Sequence, residues 1–193
     1  MPQTPAPDSP VPEALTPSVP VPDAAPLIVT VLFDADTFAW LDGLRRAHFP
    51  PERNVVPGHV TLFHALPGDR EADVRAALDA LARNETPFDV AFPALRPLGR
   101  GVALAVDSPP LVRLRAALAG LFADVLTRQD AQGYRPHATV QNKVAPDEAR
   151  ATLAHLQDTL ALPRTARAEG LCLWRYRGGP WEAAGTFRFG EAS

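Results

Sequence analysis

The chain predicts a mixed helix-and-strand fold in which one unit is used twice, as two lobes packed about a pseudo-twofold axis. Three observations carry this. The hydrophobic period switches repeatedly between two and 3.6 residues, the order strand, helix, strand, helix, strand occurs twice, and two nearly identical phrases fall on the corresponding strand of each copy. The phrases are His59-Val60-Thr61-Leu62 and His137-Ala138-Thr139-Val140. A length of 193 residues with 46% hydrophobic and 21% charged content fits one ordinary soluble domain or two small lobes.

Residues 1–26 stand apart, with nine prolines and neither lysine nor arginine. They hold no apolar run long enough for a signal-peptide core, and their composition predicts a disordered or polyproline-II-like tail. The fold is expected to begin at about Leu27. Leu27 to Phe33 reads as a buried strand, and Asp36 can cap a helix through about His48 with Phe38, Trp40, Leu41 and Leu44 apolar. The first motif strand runs from about His59 to Ala65. Asp69 opens a second helix with Val74, Leu78 and Leu81 at helical spacing, and Phe88 to Phe92 returns as a strand. The second copy begins with a strand at Gly101 to Val106. Ser108 followed by Pro109 signals a helix start, and Leu111, Leu114, Leu118, Leu121 and Val125 form its stripe. The second motif strand is His137 to Gln141, followed by a helix from near Pro146 with Leu153, Leu156 and Leu160. A strand at about Ala168 to Tyr176, a Gly178-Gly179 turn and a strand at about Glu182 to Phe189 close the chain. The lobes are expected at about 27–98 and 99–190, with strand exchange between them allowed.

Several classes of function are disfavoured. A net charge of −3 gives no global footprint for a long polyanion, so a nucleic-acid contact has to be local, such as one RNA end, and small phosphorylated substrates serve equally. The single cysteine, Cys172, can neither form an internal disulfide nor anchor zinc, and reads as a buried small side chain in a reducing cytoplasm. No apolar run approaches the roughly 18 residues that span a bilayer. Lys143 is the sole lysine, so no phosphate-binding Gly-Lys-Ser/Thr loop and no lysine-centred adenylation motif exists. None of the four serines sits in a nucleophile elbow, no His-Glu-x-x-His occurs, and the acidic residues are scattered singly rather than paired for two metals.

The two phrases carry the chemistry that remains. Residues i and i+2 of a strand project to one face, so each phrase offers an imidazole beside a hydroxyl. Two such pairs facing one another suit metal-free acid/base work on a phosphate ester. Histidine serves as base or acid near neutral pH, and threonine hydroxyls can donate to nonbridging phosphoryl oxygens. His59 and His137 are therefore the candidate acid/base pair, with Thr61 and Thr139 as phosphate clamps. Which imidazole is acid and which is base depends on substrate orientation. Arg135 and Tyr134, just ahead of the second phrase, are secondary candidates for pairing with phosphate and stacking a base. His64, five residues past His59, is expected to face away, and His48 and His155 to be packing or surface residues. Lys143 reads as the end of its strand, Trp174 and Trp181 as packing in the terminal hairpin, with an aromatic at the cleft lip holding a nucleobase as the alternative, and Arg113 and Arg115 as a solvated helix face.

These residues resemble a known family. The doubled His-x-Thr-x, the proline-containing lead-in to Gly58-His59-Val60-Thr61-Leu62, the run Arg135-Pro136-His137-Ala138-Thr139-Val140 and the terminal Leu171-Cys172-Leu173-Trp174 hairpin with Trp181 look like the two-histidine phosphoesterases. The likeness is to their 2′-5′ RNA ligase-like and RNA 2′,3′-cyclic phosphodiesterase branch, over about Leu27 to Phe189. It implies a bilobal α+β fold, two antiparallel sheets lining a central cleft with helices outside, and no metal or nucleotide cofactor. It further implies opening of a 2′,3′-cyclic phosphate to a 2′-phosphate at an RNA or oligonucleotide end, or the reverse joining to a 5′-hydroxyl without ATP. The expected protein is a cytoplasmic monomer. Hydrolysis of small cyclic nucleotides or ADP-ribose cyclic phosphate, and RNA-end or nucleotide binding without turnover, are the alternatives.

Overall fold

The run Leu27–Phe33 (β1) is rich in β-branched and aliphatic residues and buried at nearly every position, as a central strand must be. The computed structural model describes residues 24–190 of the chain, so most of the expected Pro-rich tail lies outside the described residues. Helix α1 (Ala35–His48) follows β1 directly. Its cap is Asp34 rather than the expected Asp36: Asp34 Oδ1 accepts from the Thr37 N–H at 2.9 Å and Oδ2 from the Thr37 hydroxyl at 2.6 Å. Asp36 instead lies in the first turn, where its charge favours the helix dipole.

The remaining order is β2 (Thr61–Leu66), α2 (Glu71–Asn84), β3 (Phe88–Phe92), β4 (Leu95–Pro97), β5 (Val102–Ala105), α3 (Pro109–Leu121), β6 (His137–Gln141), α4 (Pro146–Thr159), β7 (Arg164–Arg175) and β8 (Glu182–Arg188). Strand β4 was not foreseen, because three residues ending in proline carry no usable period. Strand β7 begins four residues earlier than expected; there Ala166 and Ala168 are the buried partners of exposed Thr165 and Arg167, an alternation too small in hydrophobicity to read. In α3 the stripe is Leu111, Leu114 and Leu118, all at most 3% exposed, each burial stabilising by about 1.5–3 kcal/mol. Leu121, at the end of the helix, is 60% exposed and outside it.

All pairings are antiparallel and make two sheets. One has the order β2-β1-β7-β3, with β8 also on β7; the other is β4-β5-β6. Strand β7 is long enough to pair with β1 along one edge and with β3 and then β8 along the other. Two single bridges stitch the sheets together: Val60 with Ala138, and Ala91 with Asp107. The first joins the lead-in of β2 to β6. It sets the geometry of the site.

Candidate active site

Val60 and Ala138 pair antiparallel and are buried, at 0% and 2% exposure, so their sequence neighbours project to the opposite face. By this register His59 stands across from Thr139, and Thr61 across from His137. Diagonal neighbours in such a grid lie about 7–8 Å apart, room for one phosphate between two imidazoles. His59, Thr61, His137 and Thr139 all line one cleft of about 770 Å³.

The backbone aims both rings in the same way. His59 Nδ1–H donates to the Pro57 carbonyl at 2.7 Å, and His137 Nδ1–H to the Arg135 carbonyl at 3.0 Å. A carbonyl only accepts, so each Nδ1 carries the proton and each Nε2 is left for a ligand. Gly58 makes the first arrangement achievable: its N–H donates to Asp42 Oδ1 at 3.0 Å, and a Cβ there would come within 2.6 Å of the Leu41 carbonyl carbon in α1.

The surroundings of the two rings differ. Trp181 packs on His59 with ring centroids 4.6 Å apart. Burial is the main reason the His59 pKa falls to about 4; the bond to Pro57 opposes the shift, and the nearby Arg45, His64 and His137 add to it. His59 is therefore neutral at physiological pH. The bond that fixes His137 lies exposed.

Two buried arginines underlie the grid, one from each copy, and each reaches across to the other copy's motif strand. Arg45 of α1 donates through Nη1 to the Thr139 carbonyl at 3.0 Å, and through Nε to Asn54 Oδ1 and the Val56 carbonyl. Burial lowers its pKa only to about 10, so it stays charged. Arg115 of α3 donates through Nε to the Leu62 carbonyl at 2.9 Å and through Nη2 to the Asp130 carbonyl. Its guanidinium carbon lies 4.0 Å from the Phe63 ring centroid, as that of Arg45 does from Phe49. Arg115 is thus buried in the cleft wall rather than solvated, while Arg113 is exposed as expected. The sequence carried a signal: Arg115 falls four residues after Leu111 and three before Leu118, on the buried stripe.

His64 also departs from expectation. The β1–β2 register shifts twice, between Leu27 and Val29 and between Val29 and Thr30, so strict alternation is lost and Leu62 and Phe63 are both buried. His64 lines the same cleft, with Nδ1 2.9 Å from Asp130 Oδ1. Asp130, in the loop before β6, is buried and accepts in addition from the His64 and Ala65 N–H groups and the Thr127 hydroxyl. Burial works against its charge, yet these bonds hold its carboxyl below the usual range.

Tyr134 and Arg135 both line the cleft. The Tyr134 hydroxyl donates to the Thr61 carbonyl at 3.0 Å, and burial pushes its pKa up. Arg135 is exposed, and its carbonyl also accepts from Arg96 at 3.4 Å. Trp174 lies 6.1 Å from Trp181 and donates to Thr30 Oγ1, so the hairpin pair packs as expected while Trp181 also reaches the cleft. His48 and His155 pack against each other, ring centroids 6.0 Å apart. Lys143 sits at φ 63 in the turn after β6, and Cys172 is buried. Among the described residues no group of three or more His, Cys, Asp or Glu is placed to hold a metal ion, and no helix is long and apolar enough to cross a membrane.

Comparison with known proteins gives the family and the fold. The 2′-5′ RNA ligase superfamily matches residues 33–180. A Bacillus pumilus protein that carries the provisional name of phosphoesterase is 26% identical over 170 residues, covering 83% of this chain and 96% of its own. Among solved structures, TT0787 of Thermus thermophilus superposes with a TM-score of 0.62 at 18% identity, covering 87% of this chain and all of that one. Escherichia coli LigT complexed with 3′-AMP gives 0.59 at 16% identity, over 86% of this chain and 99% of its own. The chain belongs to the 2′-5′ RNA ligase superfamily. It is an enzyme of the phosphoesterase and RNA ligase type, and it has that fold.

Proposed function

We propose that this chain opens 2′,3′-cyclic phosphates at RNA or oligonucleotide ends by paired-histidine acid/base catalysis, without a metal ion. The observation that carries the reading is the matched pair of imidazoles, each with Nδ1 locked to the carbonyl two residues back and Nε2 left for the cleft. His59, held neutral, takes the proton from the attacking water. His137 in its charged form gives a proton to the departing 3′-oxygen, and a 2′-phosphate remains. The Thr61 and Thr139 hydroxyls donate to the nonbridging oxygens, where charge is held in the transition state. Arg45 and Arg115, buried behind the grid, supply a positive field without touching the reacting atoms. With a 5′-hydroxyl in place of water as the nucleophile, the same groups join two ends: the new P–O5′ bond forms as the P–O3′ bond breaks, and a 2′-5′ phosphodiester results.

Fold relatives of known structure support the ligand class: LigT has been solved with 3′-AMP and with phosphate. In this reading the enzyme works as a cytoplasmic monomer, two lobes over 27–190 with β7 and β8 exchanged into the first sheet. The test is a dinucleotide ending in a 2′,3′-cyclic phosphate, incubated with a chelator and followed by phosphorus NMR. Appearance of a 2′-monophosphate is expected. Binding without turnover at any pH from about 5 to 9 makes the chain a nucleotide-end binding module instead.

A further inference from the structure

The cleft wall carries four arginines against one carboxylate, Asp130, which is itself consumed by internal hydrogen bonds, and three histidines stand among them. On a protein of net charge −3 this is a strongly local cationic surface, and it extends well beyond the four motif side chains. His64 marks the extension. It lies three residues along β2 from Thr61, about 10 Å at the usual strand rise, too far to act on a phosphorus held between His59 and His137. Its placement is nonetheless built rather than incidental. The register shifts of β2 leave its side chain in the cleft, and a 3%-exposed carboxylate fixes both its backbone N–H and its Nδ1. Arg115 in turn grips the carbonyls of Leu62 and Asp130, tying the strand and the loop that form this corner.

Resting on the phosphoesterase reading above, we infer that His64, positioned by Asp130, is a specificity residue that binds the internucleotide phosphate next to the reacting one. The ring is placed to bridge two anions, with Nδ1–H donating to Asp130 and Nε2–H to the phosphate. The substrate class is thereby an oligonucleotide of at least two residues ending in a cyclic phosphate, in preference to a cyclic mononucleotide. A charge-assisted hydrogen bond of this kind corresponds to about a tenfold or greater preference.

The experiment compares a cyclic mononucleotide, a dinucleotide with a terminal cyclic phosphate, and the same dinucleotide with a neutral methylphosphonate link. Wild type is expected to favour the ordinary dinucleotide through KM. His64→Ala and His64→Gln, with folding checked by circular dichroism, are expected to lose that preference by about tenfold while kcat and the mononucleotide rate stay unchanged. The methylphosphonate should reduce wild type to the level of the variants and leave the variants unaffected. Equal slowing on the mononucleotide and the dinucleotide, or indifference of wild type to the neutral link, overturns the inference. If wild type turns over none of the three, it is the acid/base reading that fails. Fluorescence titration of the two dinucleotides against wild type and His64→Ala then decides the role of His64 by the same pattern in Kd.

Discussion

His59 lies under the Trp181 ring on a lead-in pressed against α1, whereas the bond that orients His137 lies exposed. The two share a backbone device, a ring N–H given to the carbonyl two residues earlier, and so they present the same nitrogen to the ligand. Orientation is thus duplicated, and the surroundings are not. In the proposed reaction the desolvated ring, which prefers neutrality, begins the cycle as base, and the other ring gives the proton the leaving group needs. The comparison teaches that a repeated motif supplies two equivalent tools, and in the proposed mechanism the cover placed over one of them assigns the tasks.

The sharpest way to break that contrast is to remove each ring. His59→Ala and His137→Ala are each expected to lower kcat by about 10²- to 10⁴-fold. They should part on a phosphodiester with a nitrophenolate leaving group, which needs no protonation: His137→Ala recovers most of its rate there and His59→Ala does not. The reverse pattern would exchange the roles. Thr61→Val and Thr139→Val follow at about 10²-fold each, the usual loss for one donor to a developing oxyanion. A large inequality between them in steady-state kcat would place the phosphate nearer one half. Trp181→Ala tests the cover itself. The acid limb of the pH profile of kcat/KM, set near 4 by His59, should move up toward 6.5 once water reaches the ring, whereas Trp181→Phe should move it less.

The smallest effect is on folding. Above about pH 6.5 the His59 ring is neutral in folded and unfolded chains alike; between 6.5 and about 4 the unfolded chain binds a proton that the native ring refuses, so stability declines as the pH falls. The share due to this ring is on the order of 2–3 kcal/mol. Urea unfolding of wild type and His59→Gln at pH 7.5 and 4.5 isolates it, since carboxylates such as Asp130 titrate alike in both. Equal losses in the two proteins would show that the ring is better hydrated than its contacts indicate.

Much of the fold was legible because it follows from period and punctuation. Leu27–Phe33, Phe88–Phe92 and His137–Gln141 are strands with the predicted ends, and Ser108-Pro109 opens α3. The four motif side chains were legible because a doubled phrase is a local signal, and the structure brings them to one cleft. What escaped depends on partners distant in sequence. The position of His64 turns on irregular pairing with β1, invisible to a rule of alternation, and Asp130 is an ordinary loop acid until His64, 66 residues away, gives it a purpose. Arg45 and Arg115 sat on apolar stripes in plain view. Hydropathy assigns a guanidinium to solvent, and nothing in one helix reveals that carbonyls from the other copy await it, or, for Arg115, the face of Phe63.

Those crossed guanidinium ties have a consequence for dissecting the chain. Cut between the copies, the first fragment would bury a cation whose acceptor at Thr139 belongs to the second, and the second would do the same with respect to Leu62. The first would also lack β7 and β8, which complete its sheet. Neither fragment is expected to fold by itself, so activity from a split gene should require that the two pieces be co-expressed and fold around one another.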